Sequence, residues 1–533
     1  MTKLACAVFI AALVCAGAQA ADKGVAGPLF GVNTVLSGEN RFSVYNNRVS
    51  GPGSGNSFLA RGTRYQDNLS LNLDSEREAA EGWSLALDLL VTDDDSVDHK
   101  KVVARRVSYD RRSPGRQVTA GDLYGNFTQY SLNQSVKGLR WVERQGAAVE
   151  VSAVAGLVKN RWDELFEKGS YEVLNREVEG VRARWTGPMA SEIGAQAVLT
   201  QDQRVPGATA DAYRQRLFGF NWALPSNSDL SVSGESAWSG VGIDKHNAAD
   251  SSRSDSAHRV SVRLKAGPWS SSNEYENVGP GFTTTVGAAA PDLRRWLTRN
   301  RVRVAPGMDA LVNLSGYRNN LDGAQPDTVR ALSPEAGLRW SAAFNRPTLD
   351  LEARVRQRRA VHSSATAEQR ELSGILSLSD RWGPLSGTFD YEHRNEERVG
   401  QQKNSRDLFG FGLSGFYRLR DVILRPSVKW NLERDRDRTA SVYNATAQSY
   451  LGLSAENLAP GVSASFSYRR SSALQAGADD VMRGVLDLRC NYKVPWREGD
   501  SLEAGYRSGV NDFSTSSKNY RERVWEAAYV AKL

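Results

Sequence analysis

The chain has 533 residues, of which 40% are hydrophobic, 9% aromatic and 24% charged, with a formal net charge of +7 and three cysteines. A mean hydropathy of -0.48, and no apolar run of ~18 residues after the N-terminal leader, exclude a helical membrane protein. The aromatic content excludes a disordered chain, and so little cysteine excludes a disulfide scaffold.

The N-terminus carries Lys3, an apolar run from Leu4 to Val14, and then Ala18-Gln19-Ala20, the pattern of a signal peptide cleaved after Ala20. Residues 1–20 are read as signal peptide, 21–40 as a short periplasmic segment and 41–533 as one folded barrel domain. Cys15 follows Ala12-Leu13-Val14 and lacks the small residue that precedes a lipidated cysteine. Cys6 and Cys15 leave with the leader, so Cys490 is the only cysteine of the mature chain, and an intramolecular disulfide or a cysteine-based zinc site is ruled out.

Beyond the leader a two-residue alternation recurs over segments of roughly ten to fifteen residues, the period of strands. The first strand is expected near Arg41, with Asp93-Asp94-Asp95 in a long outer loop. A calcium site needs six or more oxygens on an ordered frame, so a solvated loop is the simpler reading of those acids. Ser113-Pro114-Gly115 marks a short turn. The stretch from Ala120 through Gly121 and Asp122 to Tyr124, with Tyr130-Ser131-Leu132-Asn133 and Lys137-Gly138-Leu139-Arg140, breaks the alternation. It reads as a turn or bulge at Gly121-Asp122, or as a loop folded inward at a strand end.

Further along, Gly187-Pro188, Pro225-Ser226-Asn227, Gly267-Pro268, Pro306-Gly307, Asn345-Arg346-Pro347 and Trp382-Gly383-Pro384 are short turns. Between them lie longer polar stretches at 159–169, 240–257, 279–292 and 320–327. Trp83, Trp141, Trp185, Trp269, Trp382 and Trp496 sit beside short turns, as an interfacial girdle requires. The segment from Leu349 to Arg358 sets Leu349, Leu351, Ala353 and Val355 against Asp350, Glu352, Arg354, Arg356 and Arg358. From Val422 to Arg434, Val422, Leu424, Pro426, Val428, Trp430 and Leu432 oppose Arg425, Ser427, Lys429, Asn431 and Glu433. Cys490 alternates with Leu486, Leu488 and Tyr492 and is expected on the lipid face.

Short turns on one side and long loops on the other predict an all-β fold, a single antiparallel up-and-down transmembrane β-barrel of about 26 strands (range about 22–26), with short periplasmic turns and longer extracellular loops. Hydrocarbon offers no hydrogen-bond partners, so closure is what leaves no strand edge unpaired. A soluble β-solenoid, or a string of soluble β-domains, is disfavoured by the lack of a fixed repeat of ~20–50 residues and by segments longer than the usual ~5–6.

Apolar faces toward lipid leave the opposite faces to line the lumen. The cations expected there are Arg259, Arg263 and Lys265; Arg299, Arg301 and Arg303; Arg354, Arg356 and Arg358; Arg425 and Lys429; and Arg483, Arg489 and Lys493. The acids include Asp350, Glu352, Asp390, Glu392, Glu433 and Asp487. Such charge needs water or polar partners. It either draws anions into the lumen or pairs across strands and braces the wall. Basic residues spread over many strands do not make a nucleic-acid surface.

The last segment, with Trp525, Ala527, Tyr529, Ala531 and Leu533 on one face, resembles the terminal strand of Gram-negative outer-membrane β-barrels, although that class more often ends in Phe. The resemblance implies a bacterial outer-membrane location, contact with outer-membrane lipid and insertion by the barrel assembly machinery. A barrel of this strand number without a plug of its own is also similar in architecture to the porin partner of porin-cytochrome conduits. That likeness implies a sheath around a multihaem cytochrome, and the haem would be the partner's, since the chain has no Cys-x-x-Cys-His. The mature histidines His99, His246, His258, His362 and His393 show no metal spacing, and no nucleophile motif is present. The expected function is a porin-like conduit with a wet, Arg-rich lumen, without cofactor or catalysis; a cytochrome sheath, a polysaccharide export channel and a surface adhesin or receptor are the alternatives.

Overall fold

The protein is described from a computed structural model covering residues 34–57, 59–78, 81–159, 161–162, 174–204, 209–225, 227, 229–363, 368–398 and 402–533. The expected leader, and most of the 21–40 segment, lie outside the described residues. The first strand, Thr34–Ser50, begins before Arg41, because residues from Thr34 opposite Ser75 to Asn40 opposite Leu69 already pair with the next strand.

The segments that alternate in the sequence are strands, from Val149–Val158 with 10 residues to Val442–Ala459 with 18. Each pairs antiparallel with the next along the chain. Thr34–Ser50 also pairs with Tyr520–Lys532, in a register running from Glu39 opposite Lys532 to Ser50 opposite Arg521. The sheet is therefore closed. The short strand Tyr417–Leu419 continues Gln402–Gly415 on the same partner, Val422–Asp437, so the 27 strands make 26 staves. The interruption falls opposite Pro426, which has no N–H to give to the ladder. Staves about 4.8 Å apart, tilted by about 40°, close a ring on the order of 50 Å across between backbones. Among the described residues no helix is long and apolar enough to cross a membrane; the long elements are strands.

The short turns fall together at the end that holds Thr34 and Leu533, and the longer connections at the other. Gly115 and Gly307 take φ values of 75° and 74° in two of those tight turns, a conformation that side chains resist. On the outer face, Trp185, Trp269 and Trp382 are exposed near the short-turn ends, and Trp496 is exposed in a turn. The strand Asp350–His362 begins one residue after the expected start and runs four beyond Arg358, and Val422–Asp437 runs three beyond Arg434.

Candidate functional site

The registers carry one face of the wall from strand to strand. Arg263 stands opposite Ser272, Ser272 opposite Arg299, Arg299 opposite Asn313, Asn313 opposite Glu335, and Glu335 opposite Arg356. On the far side Arg425 leads through Ser454 and Ser465 to Arg489, and Ser471 stands opposite Arg483. All fourteen expected lumen cations share this face.

Two connections identify it as the interior. Residues 127–132 and 279–292 leave the wall many strands apart, yet they bond to each other: the Ala288 amide donates to the Gln129 carbonyl at 2.7 Å, and the Asn133 amide to the Val286 carbonyl at 2.8 Å. Only the chord across the lumen is that short. Phe127, Tyr130 and Leu132 from the first connection, with Phe282 and Val286 from the second, form a buried apolar cluster with Val154, Val178, Val198, Leu217, Ala237 and Ala257 of the wall. The two loops make a shelf over the strands between Val149 and Val278.

Polar bonds seat the shelf. The Tyr130 hydroxyl donates to Glu276 at 2.8 Å and its amide to Glu235 at 3.0 Å. The Thr285 amide donates to the Gln215 side-chain oxygen at 2.9 Å, and Arg176 donates to the Thr285 carbonyl at 3.0 Å while gripping Asp202 with two bonds of 2.7 and 2.9 Å. Burial and the Glu276 carboxylate push the Tyr130 phenol upward from its ordinary pKa, so it stays a donor.

The sequence reading allowed an inward loop near residues 120–140, and residues 127–132 are that loop. Arg116–Asn126 remains a strand through Gly121-Asp122. The stretch 279–292, expected only as an outer loop, turns into the lumen because Phe282 and Val286 are apolar and the wall beneath is apolar too. The missed signal was Val154, Val178, Val198 and Leu217, apolar residues set among charged ones such as Arg176, Arg182 and Asp202 on the inward face of their strands.

Of the fourteen cations, eight meet acids. Arg259 meets Glu274 at 2.9 Å, Arg303 meets Asp309 at 3.7 Å, Arg356 meets Glu335 at 2.9 Å, Arg358 meets Glu371 at 4.0 Å and Arg489 meets Asp487 at 2.9 Å. Arg301, Arg354 and Arg425 pair with Asp309, Glu352 and Glu456. Arg263, Lys265, Arg299, Lys429, Arg483 and Lys493 have no acid partner among the described residues. Ladder pairing and uncompensated cations thus occur on one wall, in different places.

The three acids of the outer loop are taken up in folding it. Asp94 is fully buried and accepts the Ser96 amide at 2.8 Å, Asp93 accepts the Tyr65 amide at 2.8 Å, and Asp95 meets Lys101 at 2.8 Å. Among the described residues no group of three His, Cys, Asp or Glu is arranged to hold a metal. Cys490 is exposed, opposite Ala464 and Ala504, on the outer face.

No family model matches the chain, and no curated protein matches it. Solved structures match as folds. The siderophore receptor PirA of Pseudomonas aeruginosa is 10% identical, over 93% of this chain and 80% of that one, with a TM-score of 0.41. The translocation pore of the P pilus usher PapC is 9% identical, over 94% and 100%, with a TM-score of 0.34. OpdL of Pseudomonas aeruginosa is 14% identical, over 62% and 94%, with a TM-score of 0.34. The likeness is one of β-barrel architecture and carries no functional argument.

Proposed function

We propose that the protein is a conduit of the bacterial outer membrane, exported by its N-terminal leader and inserted by the barrel assembly machinery, that passes hydrophilic solutes through a wet, cation-rich lumen. The observation that carries this reading is the inner face itself. It is charged around the ring, and the shelf covers one sector, between Val149 and Val278, rather than the whole bore. Charge on that face is tolerated only in water or against polar partners. The fourteen cations are the proposed pore lining, and the six without acids are the ones that set selectivity.

The estimated bore favours a second reading, in which the barrel houses a partner protein such as a multihaem cytochrome, since a ring of ~50 Å exceeds what a small solute needs. Single-channel conductance of the purified barrel in a planar bilayer, under a salt gradient, separates the two. The conduit predicts a large, steady, anion-favouring conductance. A folded barrel that stays silent refutes the conduit.

A further inference from the structure

On the inner wall, three successive strands, Ser251–Ala266, Trp269–Val278 and Leu293–Ala305, place basic residues on either side of a middle position. Toward the shelf, that middle position holds an acid: Glu276 stands between Arg259 and Arg295. The protein neutralises these cations itself, with Arg295 meeting Glu276 at 2.7 Å and Arg259 meeting Glu274 at 2.9 Å. Toward the short turn Gly267-Pro268 the pattern changes. Ser272 stands between Arg263 and Arg299, and Ser270 between Lys265 and Arg301.

In these two lower rungs only Arg301 has a carboxylate, Asp309. Arg263, Lys265 and Arg299 have none among the described residues. A short serine between two long cations leaves a hollow, and the wall has an open cavity of ≈ 520 Å³ here, lined by these residues together with Ser231, Asn313, Leu230 and Leu311, and by one acid, Asp229, at the short-turn end. Cations on alternate strands leave backbones about 10 Å apart, close enough for two guanidinium groups to converge on one anion held between them. Guanidinium geometry suits a planar or tetrahedral oxyanion, and a serine hydroxyl adds a donor.

We propose that this pocket binds an oxyanion, the phosphate or carboxylate group of a solute, in the place that Glu276 fills two inward positions nearer the shelf on the same strand. The inner face is out of reach of bilayer lipid, so the anion comes from the aqueous path; its role in transport rests on the conduit reading, but binding itself does not.

The test is calorimetric titration of inorganic pyrophosphate into the full-length barrel in detergent, for the wild type and for Ser272→Glu, Arg299→Gln and Arg436→Gln, each first shown to be folded by heat-modifiable migration. The wild type is expected to bind. Ser272→Glu supplies the missing carboxylate within the chain, and Arg299→Gln removes one charged donor; each is expected to weaken binding by roughly tenfold or more. Arg436→Gln removes a cation of the outer face and leaves binding unchanged. No binding by the wild type, or binding as tight as the wild type's by either Ser272→Glu or Arg299→Gln, overturns the site. A barrel silent in bilayers that still binds pyrophosphate removes the conduit and leaves the site standing, whereas a conducting barrel that does not bind does the reverse.

Discussion

Tyr130 donates its hydroxyl to Glu276 at 2.8 Å, joining the first inward loop to the strand Trp269–Val278 while Arg295 holds the same carboxylate at 2.7 Å. The bond fixes the shelf against the wall from inside, and the Tyr130 ring is fully buried against Phe282. Tyr130→Phe keeps the ring and leaves Glu276 paired with Arg295, so it costs about 1 kcal/mol in urea unfolding. Tyr130→Ala empties the middle of the cluster and costs about 3–5 kcal/mol. If the shelf narrows the path, the alanine variant also conducts more than the wild type. A folded Tyr130→Ala barrel of unchanged conductance would show that the shelf lies outside the path.

Gly121 has a φ of 98°, and a β-carbon there would run into the Val107 carbonyl. Pairing between Val102–Ser113 and Arg116–Asn126 ends at Ser108 opposite Gly121. Beyond it the Asp122 carboxylate takes over, accepting the Val107 amide at 2.7 Å and meeting Lys137 at 2.5 Å. A side chain at Gly121 therefore meets both a backbone clash and an unfavourable dihedral, each on the order of 1 kcal/mol or more. Gly121→Val is expected to lower the heat-modifiable fraction on a gel sharply, and Gly121→Ala to do so less. Wild-type yield from Gly121→Val would remove the strain argument.

Much of the barrel was legible because each stave repeats the same local rule. In Val422–Asp437, Leu424, Val428 and Trp430 face out while Arg425, Lys429 and Asn431 face in, and one strand is enough to set its own orientation. The shelf was hidden for the opposite reason. Val178 and Phe282 are apolar in isolation, and only the fold reveals that a strand and a loop about a hundred residues apart bury each other. The oxyanion pocket depended on register: Ser272 between Arg263 and Arg299 is a relation across three strands, which no single segment contains. Conversely, Asp93 and Asp94 read as solvated loop acids, and the Tyr65 and Ser96 amides that occupy them come into view only in the fold.

Asp479 ties the outer connection before Val481–Lys493 to the one before Tyr520–Lys532. Lys518 and Thr515 bond its carboxylate, holding its pKa down to about 2, and Ser514 donates to it at 3.1 Å. Since the folded value lies below the ordinary ~3.9, the contribution of this latch is complete above that range and is lost as pH falls through about 2. Protection of residues 475–480 and 514–519 in hydrogen exchange is expected to be level from pH 8 to 5 and to fall toward pH 2. Asp479→Asn should lower it from pH 8 to 5 and meet the wild type toward pH 2. A loss of protection between pH 7 and 5 would point to another group.

Cys490 tests which face of the wall meets the bilayer. It is exposed on the outer face, and its neighbour Arg489 points inward beside Asp487 at 2.9 Å. In a bilayer that face meets hydrocarbon, which a charged reagent does not enter. A membrane-impermeant maleimide is therefore expected to leave Cys490 unlabelled in barrels inserted in vesicles, and to label it after unfolding in denaturant. Ser465, opposite Arg489 on the same rung, faces the lumen. A Ser465→Cys, Cys490→Ala barrel should thus label in intact vesicles, through water. Labelling of Cys490 without labelling at position 465 would invert the wall, and with it the assignment of every cation to the lumen.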